Sequence, residues 1–274
     1  MEIRGSVPIF FQQRGMTATT KITRSFELTN PAFLKHINFV NEHYGRVLSV
    51  NLLCKTKPGE QAITEAYENH LKNNNLPAYR YEFFDFHHAC KGHKFYKVNP
   101  LVLKVLPLIE GFKFYAEDIQ KKAILMTQKG TVRTNCLDCL DRTNVFMTKV
   151  AMMAFECQMK HLGVDLKAVF GQDALAQLDN DNVKQQHPFI LQFKNVWADN
   201  GDVISQHYAG TGSVISQVTR TGKEGFFGMI DHYSKTLGRF YIGNFEDSVK
   251  QEVIDILLGQ HTETVNGNDI SWLK

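Results

Sequence analysis

The chain lacks any apolar run that approaches the roughly 20 residues of a membrane-spanning helix. It also lacks a strong excess of charge, since 31 Lys and Arg residues stand against 28 Asp and Glu residues and the formal net charge is +3. The first absence predicts that the chain has no transmembrane segment. The second gives no argument for nucleic-acid binding, although a mildly basic protein can contact an acidic lipid surface.

Cysteine is scarce and odd in number, with five residues and no recognisable signal peptide. We therefore expect free thiols in a reducing compartment and a cytoplasmic protein. Two of the five, Cys136 and Cys139, have the spacing of a zinc or redox pair. Zinc needs four ligands, and Cys54, Cys90 and Cys157 form no second pair at that spacing. We expect no metal and no other cofactor.

Length and composition are those of a globular enzyme. The 274 residues are 43% hydrophobic and 22% charged, which is sufficient for a substantial core. The final stretch contains Asn266-Gly267-Asn268-Asp269 and is typical of a frayed terminus. The sequence therefore predicts one domain over 1–259 and a flexible tail over 260–274.

Hydrophobic periodicity predicts that helices and strands alternate in the first half of the chain. The predicted elements are extended structure over 1–28, a helix over 30–44, a strand over 47–53, a helix over 58–71 and a strand over 79–86. Such alternation predicts an α/β fold, with a mainly parallel or mixed sheet flanked by helices. The site of such a fold lies at the carboxyl ends of the strands, where Asp85 and His87 are found.

The second half is predicted to be rich in helices. A helix over 98–118 and a strand over 123–127 lead to a loop that contains Cys136. Further helices are predicted over 143–162, 166–178, 183–197, 225–240 and 247–258.

The loop has the pattern of a cysteine-dependent phosphatase. Cys136 is followed, after five residues, by Arg142 and then by Thr143. Positive potential stabilises a thiolate and also holds a phosphate dianion for attack. Loop amides and the first amides of the next helix can form an anion cradle, which Arg142 closes with its planar fork. The spacing alone is weak evidence, because it occurs by chance and either cysteine could be a buried apolar residue.

The whole stretch 133–144, Arg-Thr-Asn-Cys-Leu-Asp-Cys-Leu-Asp-Arg-Thr-Asn, resembles the signature of the Sac-domain phosphoinositide phosphatases at every fixed position. Other stretches similar to blocks of that family occur in the family's order, at 4–10, 85–87, 197–202, 208–212 and 239–247. The resemblance covers roughly residues 3–259. One departure is expected to matter, since the family usually carries a further subdomain before the first block and Met1 nearly adjoins that block here.

The resemblance implies a two-step mechanism that needs no metal. Cys136 attacks phosphorus, the inositol oxygen leaves, and water hydrolyses the phosphocysteine. Arg142 holds two equatorial oxygens of the transferred group, and Thr143 donates a hydrogen bond to the thiolate. The implied substrate is a phosphatidylinositol phosphate, and the first candidates are phosphatidylinositol 4-phosphate and phosphatidylinositol 3-phosphate.

The leaving alkoxide of inositol is a strong base, so the reaction needs a general acid. Asp138 is the first candidate, because repulsion from a neighbouring thiolate favours its protonated form. Asp85 is the second candidate and Asp141 the third. Asp141 could instead accept hydrogen bonds from loop amides or pair with Arg142.

Further substrate contacts are expected from the loop and from the segment around the Asp-Phe-His block. The candidates are Asn135, Leu137, Cys139, Leu140, Asp141, Asp85, His87, Lys91 and Lys94. The basic cluster of Lys91, His93 and Lys94 could meet a lipid headgroup or form a solvated loop. We expect a peripheral protein on the cytosolic face of a membrane, with a membrane-recruiting protein as a candidate partner.

Three other functions stay open at this point. A protein-tyrosine phosphatase shares the chemistry, but usually has His before the cysteine and glycines in the loop, whereas here Asn135 precedes Cys136 and the loop has no glycine. A catalytically impaired membrane-binding or scaffold module would fit the short N-terminus, although every candidate catalytic residue is retained. A thiol redox protein using Cys136 and Cys139 would leave Arg142 unexplained.

Overall fold

A computed structural model describes residues 2–14, 19–180 and 182–213, together with Ser216, Ile256, 264–265 and 268–269. The strands and helices, in chain order, are β1 (Glu2–Arg4), β2 (Phe11–Arg14), β3 (Thr19–Ile22), α1 (Phe26–Tyr44), β4 (Arg46–Asn51), α2 (Pro58–Asn73), β5 (Tyr79–Phe83), α3 (Phe86–Ala89), α4 (Asn99–Phe112), β6 (Ala116–Asp118), β7 (Ala123–Met126), β8 (Gly130–Asn135), α5 (Asp141–His161), α6 (Leu166–Phe170), α7 (Ala174–Leu178), α8 (Pro188–Ala209), β9 (Thr264–Val265) and β10 (Asn268–Asp269). The helices predicted over 225–240 and 247–258 lie outside the described residues, as does most of the predicted tail.

Four strands form the central sheet in the order β1-β8-β4-β5, and all three neighbouring pairs are parallel. The predicted α/β class is therefore confirmed. β4 and β8 are the two inner strands, and all of β8 and all but the first residue of β4 are buried. Parallel sheets are covered by helices on both faces, so their inner strands have no solvent face.

Helices cover the sheet on both faces, as the side chains of β4 show. Val47 packs with residues of α1 and α2, including Phe33 and Tyr67. The next residue, Leu48, packs with residues of α4 and α5, including Phe146. Successive side chains of a strand point to opposite faces, so α1 and α2 lie on one face and α4 and α5 on the other. In the described part of the chain, no helix combines the length and the apolar character that a bilayer crossing requires.

The strand that leads to Cys136 is β8, so the prediction that a strand over 123–127 does so was wrong. That apolar segment is β7, which pairs antiparallel with β6 in a separate two-stranded sheet. Ile124 and Leu125 of β7 are 62% and 61% exposed. β8 is rich in polar residues yet buried. Asn135 and Nη2 of Arg133 make hydrogen bonds inside the protein, whereas Oγ1 of Thr134 has no partner among the described residues.

Two predicted helix ends were also wrong. Helix α1 begins at Phe26 rather than at residue 30, because Ser25 caps it by accepting a hydrogen bond from the Leu28 amide at 3.5 Å. Helix α4 ends at Phe112, and the chain then forms β6 where the sequence predicted helix to residue 118.

The helices that follow α5 are divided differently from the prediction. The segment 166–178 is two short helices, α6 and α7, and Gly171 ends α6 in the left-handed conformation with φ of 72°. Helix α8 begins at Pro188 and runs to Ala209, which is later at both ends than the predicted 183–197.

Gly130 begins β8 at a position where no side chain fits. A Cβ atom there would lie 2.2 Å from Cδ1 of Phe112 and 2.7 Å from the carbonyl oxygen of Arg46. Relief requires movement of the β4 backbone, to which Gly130 is paired. We expect Gly130→Ala to lower the free energy of unfolding by about 1–3 kcal/mol in urea titration. The control is Gly111→Ala in α4, whose added methyl meets only the Arg46 side chain at 3.6 Å, and equal stability of the two variants would contradict the steric argument.

Candidate active site

Hydrogen bonds inside the protein fix the end of β8, from which the loop departs. Oγ of Ser49 donates to Oδ1 of Asn135 at 2.6 Å, and Nδ2 of Asn135 donates to the carbonyl oxygens of Gly5 and Ser6 at 3.2 and 3.3 Å. Asn135 is fully buried. The expectation that its side chain contacts substrate is corrected, because these bonds direct the amide into the interior, where it supports the loop.

The loop of residues 136–140 turns sharply between β8 and α5. Cys139 has a φ of 56°, a left-handed conformation that is uncommon for residues other than glycine. Its Sγ donates to the carbonyl oxygen of Cys136 at 3.5 Å, and the Leu140 amide donates to Oδ1 of Asp138 at 3.2 Å. Nη1 of Arg4 donates to the Cys139 carbonyl oxygen at 3.4 Å. These contacts hold a tight loop whose last residue precedes the first turn of α5.

The loop side chains divide into buried and accessible ones. Cys139 and Leu140 are buried, and Leu137 packs against the hydrophobic cluster shared by α1 and α2. The side chains of Cys139 and Leu140 face the protein, so the substrate contacts predicted for these two residues are limited to their backbone groups, whereas Leu137 is half-buried. Asp138 is exposed.

The Cys136 side chain is only 1% exposed. Burial raises the pKa of its thiol well above the ordinary value, and the charge of Arg142 only partly opposes this effect. The neighbouring Asp138 and Cys139 raise the pKa further. These surroundings therefore favour the thiol of Cys136 over the thiolate.

Arg142 is held by Glu60, a residue that the sequence did not single out. Nη1 of Arg142 lies 2.9 Å from Oε2 of Glu60, and Nη2 lies 3.1 Å from Oε1. Oε2 also accepts a hydrogen bond from the Cys54 amide at 2.6 Å. Burial would raise the pKa of Glu60, but the hydrogen bonds and charge of Arg142 outweigh it and hold the pKa below its ordinary value. Burial would lower the pKa of Arg142, but the charge of Cys136 and the hydrogen bonds and charge of Glu60 outweigh this effect and raise the pKa.

Thr143 is fully buried, and among the described residues its Oγ1 has no hydrogen-bond partner. The predicted hydrogen bond to Cys136 is therefore not formed in this arrangement. Asp141 accepts a hydrogen bond from Oγ of Ser213 through Oδ1, at 2.7 Å. The Ser213 amide in turn donates to Oδ1 of Asp202 at 2.8 Å. Ser213 thus connects Asp141, the first residue of α5, with Asp202 of α8.

Helix α8 contacts the same end of α5. Nδ2 of Asn144 donates to the carbonyl oxygen of Trp197 at 2.9 Å. A Cβ atom at Gly201 would lie 2.9 Å from that Nδ2 atom, so glycine permits the close approach of the two helices. The 197–202 block, which the sequence left without a role, therefore packs against the first turn of α5.

A cavity of about 460 Å³ lies beside the loop. Its lining residues are Lys57, Phe86, His87, Cys90, Lys91, Gly92, His93, Phe95, Asp138, Asp141 and Arg142. The structure therefore brings His87, Lys91, Asp138, Asp141 and Arg142 together, as a shared site requires. Lys94 is exposed and does not line the cavity.

Asp85 does not line the cavity either. Its Oδ1 accepts a hydrogen bond from the His88 amide at 2.9 Å and so caps α3, while its Oδ2 accepts from the Lys55 amide at 3.1 Å. Both oxygens are thus used locally. This placement argues against Asp85 as the general acid and leaves Asp138 and Asp141.

Lys57 and Glu60 were missed by the sequence analysis. Lys57 precedes α2, just after the carboxyl end of β4, and that position in a parallel α/β fold is a usable signal. Glu60 gives no local signal, because its partner Arg142 is distant in sequence. Within the described residues, His, Cys, Asp and Glu side chains form no group of three that could hold a metal ion.

Comparisons with known proteins agree with these features. The SacI homology domain model matches residues 1–91. Polyphosphatidylinositol phosphatase INP53 of Saccharomyces cerevisiae is 36% identical over 265 residues, which are 94% of this chain and 23% of that protein. Phosphatidylinositol-3-phosphatase SAC1-A of Danio rerio is 30% identical over 96% of this chain and 43% of its own length. Phosphoinositide phosphatase SAC8 of Arabidopsis thaliana is 29% identical over 96% and 42%. The chain thus spans less than half the length of each relative.

Proposed function

Because the chain belongs to the family of Sac-domain phosphoinositide phosphatases, we propose that it removes a phosphate from the inositol ring of phosphatidylinositol phosphates through a phosphocysteine intermediate. The observation that carries this proposal is the convergence of Arg142, Asp138 and basic side chains on a cavity beside the loop of Cys136. The proposed substrates are phosphatidylinositol 4-phosphate and phosphatidylinositol 3-phosphate.

The proposed chemistry begins with one proton transfer. The buried thiol of Cys136 loses its proton to the exposed carboxylate of Asp138, directly or through a water molecule. This step supplies the thiolate and the acid together. The thiolate attacks phosphorus, the S–P bond forms as the P–O bond to inositol breaks, and Asp138 returns the proton to the leaving oxygen. Water then attacks phosphorus, and the new O–P bond forms as the S–P bond breaks. Asp138 takes the proton from the water and returns it to the sulfur, whose departure Thr143 can stabilise.

The charge around the cavity supports an anionic substrate. Lys57, Lys91 and Arg142 line the cavity beside the imidazoles of His87 and His93, and these three cations outnumber the carboxylates of Asp138 and Asp141. Such a basic lining attracts a headgroup that carries phosphate, as well as the anionic surface around it. We accordingly place the protein at the cytosolic face of a membrane, where a recruiting protein could hold it.

Asp138→Asn is expected to separate substrates by their leaving groups. Loss of the acid should slow phosphate release from a phosphoinositide by about 100-fold or more. An aryl phosphate should lose far less, since a phenolate leaves without a proton. The measurement is kcat on both substrates. Asp85→Asn is the matched control and should not discriminate between them; equal losses on both substrates in Asp138→Asn would move the acid elsewhere.

The function itself is tested by phosphate release from all seven phosphoinositides in vesicles, with EDTA present because the route needs no metal. Release from at least one lipid by the wild type, and none by Cys136→Ser, is the expected result. Release from a phosphotyrosine peptide alone would favour a protein-tyrosine phosphatase. Vesicle binding without any release would favour a scaffold module.

A further inference from the structure

The carboxylate of Glu60 occupies one edge of the Arg142 guanidinium. A guanidinium offers two edges for bidentate bonding, one formed by Nη1 and Nη2 and the other by Nε and Nη2. Glu60 takes the first edge through the contacts at 2.9 and 3.1 Å. The carbonyl oxygen of Leu52 adds a longer contact to Nη1, at 3.5 Å. A phosphate therefore has only the second edge left.

The second edge is available. Among the described residues, Nε of Arg142 has no hydrogen-bond acceptor, and Arg142 is part of the cavity lining. Glu60 itself is 6% exposed, and its Oε2 is fixed by the Cys54 amide at 2.6 Å. Cys54 lies just beyond β4, so the anchor of Arg142 belongs to the sheet.

We propose that Glu60 is a positioning residue, which fixes Arg142 so that phosphate binds side-on at Nε and Nη2. The negative charge of Glu60 also offsets part of the positive charge of the Arg142 guanidinium. This inference rests on the proposed function for its substrate but not for its electrostatics. A flexible arginine would have to order itself during each turnover, whereas an anchored one meets the phosphate in place. Because the charge of Glu60 opposes that of Arg142, the ion pair stabilises a Cys136 thiolate less than Arg142 alone would.

A purely structural role for Glu60 is the competing explanation. Glu60 stands in the first turn of α2, where a carboxylate stabilises the helix dipole. That role predicts loss of stability on substitution and no specific change at Cys136. The reactivity of the Cys136 thiol therefore separates the two explanations.

The test uses Glu60→Gln, which keeps the size of the side chain and removes its charge. We expect kcat on the phosphoinositide to fall by about 100-fold, with a smaller change in KM. We also expect Cys136 to be alkylated faster by iodoacetamide at a given pH, because Arg142 then acts with its full charge and the pH midpoint of the reaction falls. The midpoint does not depend on how readily the reagent reaches the buried sulfur. The other groups that act on the thiol, which are Asp138, Cys139 and the Leu137 backbone, are unchanged. Mass spectrometry over a pH series follows Cys136 separately from the other cysteines.

Two further variants complete the design. Glu65→Gln makes the same change at an exposed position of α2 and should alter neither readout. Among the described residues, the Glu65 carboxylate accepts a hydrogen bond from Gln61 alone. Glu60→Asp keeps the charge but shortens the reach, so it should lose kcat without faster alkylation. If Glu60→Gln fails to fold, the kcat of Glu60→Asp still tests whether the position of Arg142 matters.

The outcomes are distinct. Loss of kcat with faster alkylation in Glu60→Gln supports the proposal. Unchanged kcat, or loss of kcat and stability with unchanged alkylation, overturns it. If the wild type releases no phosphate from any phosphoinositide, the proposed function fails, yet the alkylation series still decides whether Glu60 offsets Arg142.

Discussion

Phosphate release is expected to disappear in Cys136→Ser, with kcat reduced by at least about 10⁴-fold. The serine hydroxyl is a far weaker acid than the thiol, so no comparable nucleophile forms in the buried site. The exchange of sulfur for oxygen barely changes the volume of a side chain that is only 1% exposed. The fold and lipid binding should therefore remain, which thermal unfolding and vesicle flotation can check.

The matched control for this experiment is Cys157→Ser. Cys157 lies near the carboxyl end of α5, is half-buried and does not line the cavity. Its substitution should preserve phosphate release. A Cys136→Ser variant with wild-type kcat would show that the sulfur takes no part in the reaction.

Arg142→Lys should reduce kcat by about 10³-fold, the scale on which a transition-state arginine acts in phosphoryl transfer. An ammonium group cannot bond through one edge to Glu60 and through another to phosphate. In the variant, the buried carboxylate of Glu60 should retain the ammonium and leave the phosphate without its principal cation. The measurement is kcat on the phosphoinositide, with binding of inorganic tungstate as a second readout.

Arg80→Lys provides the comparison for that substitution. Arg80 is exposed on β5, where its only described hydrogen bond reaches the carbonyl oxygen of Pro77. It should behave as the wild type in both assays. If Arg142→Lys kept most of kcat, the phosphate could not lie where we place it.

The fold was predictable where hydrophobicity and burial agree. Strand β4 and helix α2 were predicted closely, because apolar residues and turn residues mark them clearly. The sequence predicted that the segment of β7, and not that of β8, leads to Cys136, which shows where hydrophobicity does not indicate burial. Ala123-Ile124-Leu125-Met126 is apolar but lies in a surface hairpin, while Gly130-Thr131-Val132-Arg133-Thr134-Asn135 is polar but forms the centre of the sheet. Pairing partners from distant parts of the chain decide the burial of β8, and local sequence does not encode them.

The candidate site was predictable to the extent that its residues are close in sequence. The loop placed Cys136, Asp138 and Arg142 together, and the strand-end rule placed His87 near them. The rule could not show that both carboxylate oxygens of Asp85 accept hydrogen bonds from backbone amides. It also could not find Glu60, because Glu60 and Arg142 come together only when the first turns of α2 and α5 meet at the carboxyl ends of the strands.

The position of β8 between β1 and β4 sets the order in which this domain can assemble on the ribosome. Glu2 pairs with Val132, and in the described part of the chain β1 has no other partner strand. At about 5–20 residues per second, translation reaches β8 roughly 6–26 s after β1 has been made. During that interval β1 is unpaired and β4 lacks a neighbour on one side, so both edges are open to wrong pairing. The sheet can close only when the strand that carries the cysteine loop is inserted, and we therefore expect nascent chains that end before residue 130 to need a chaperone.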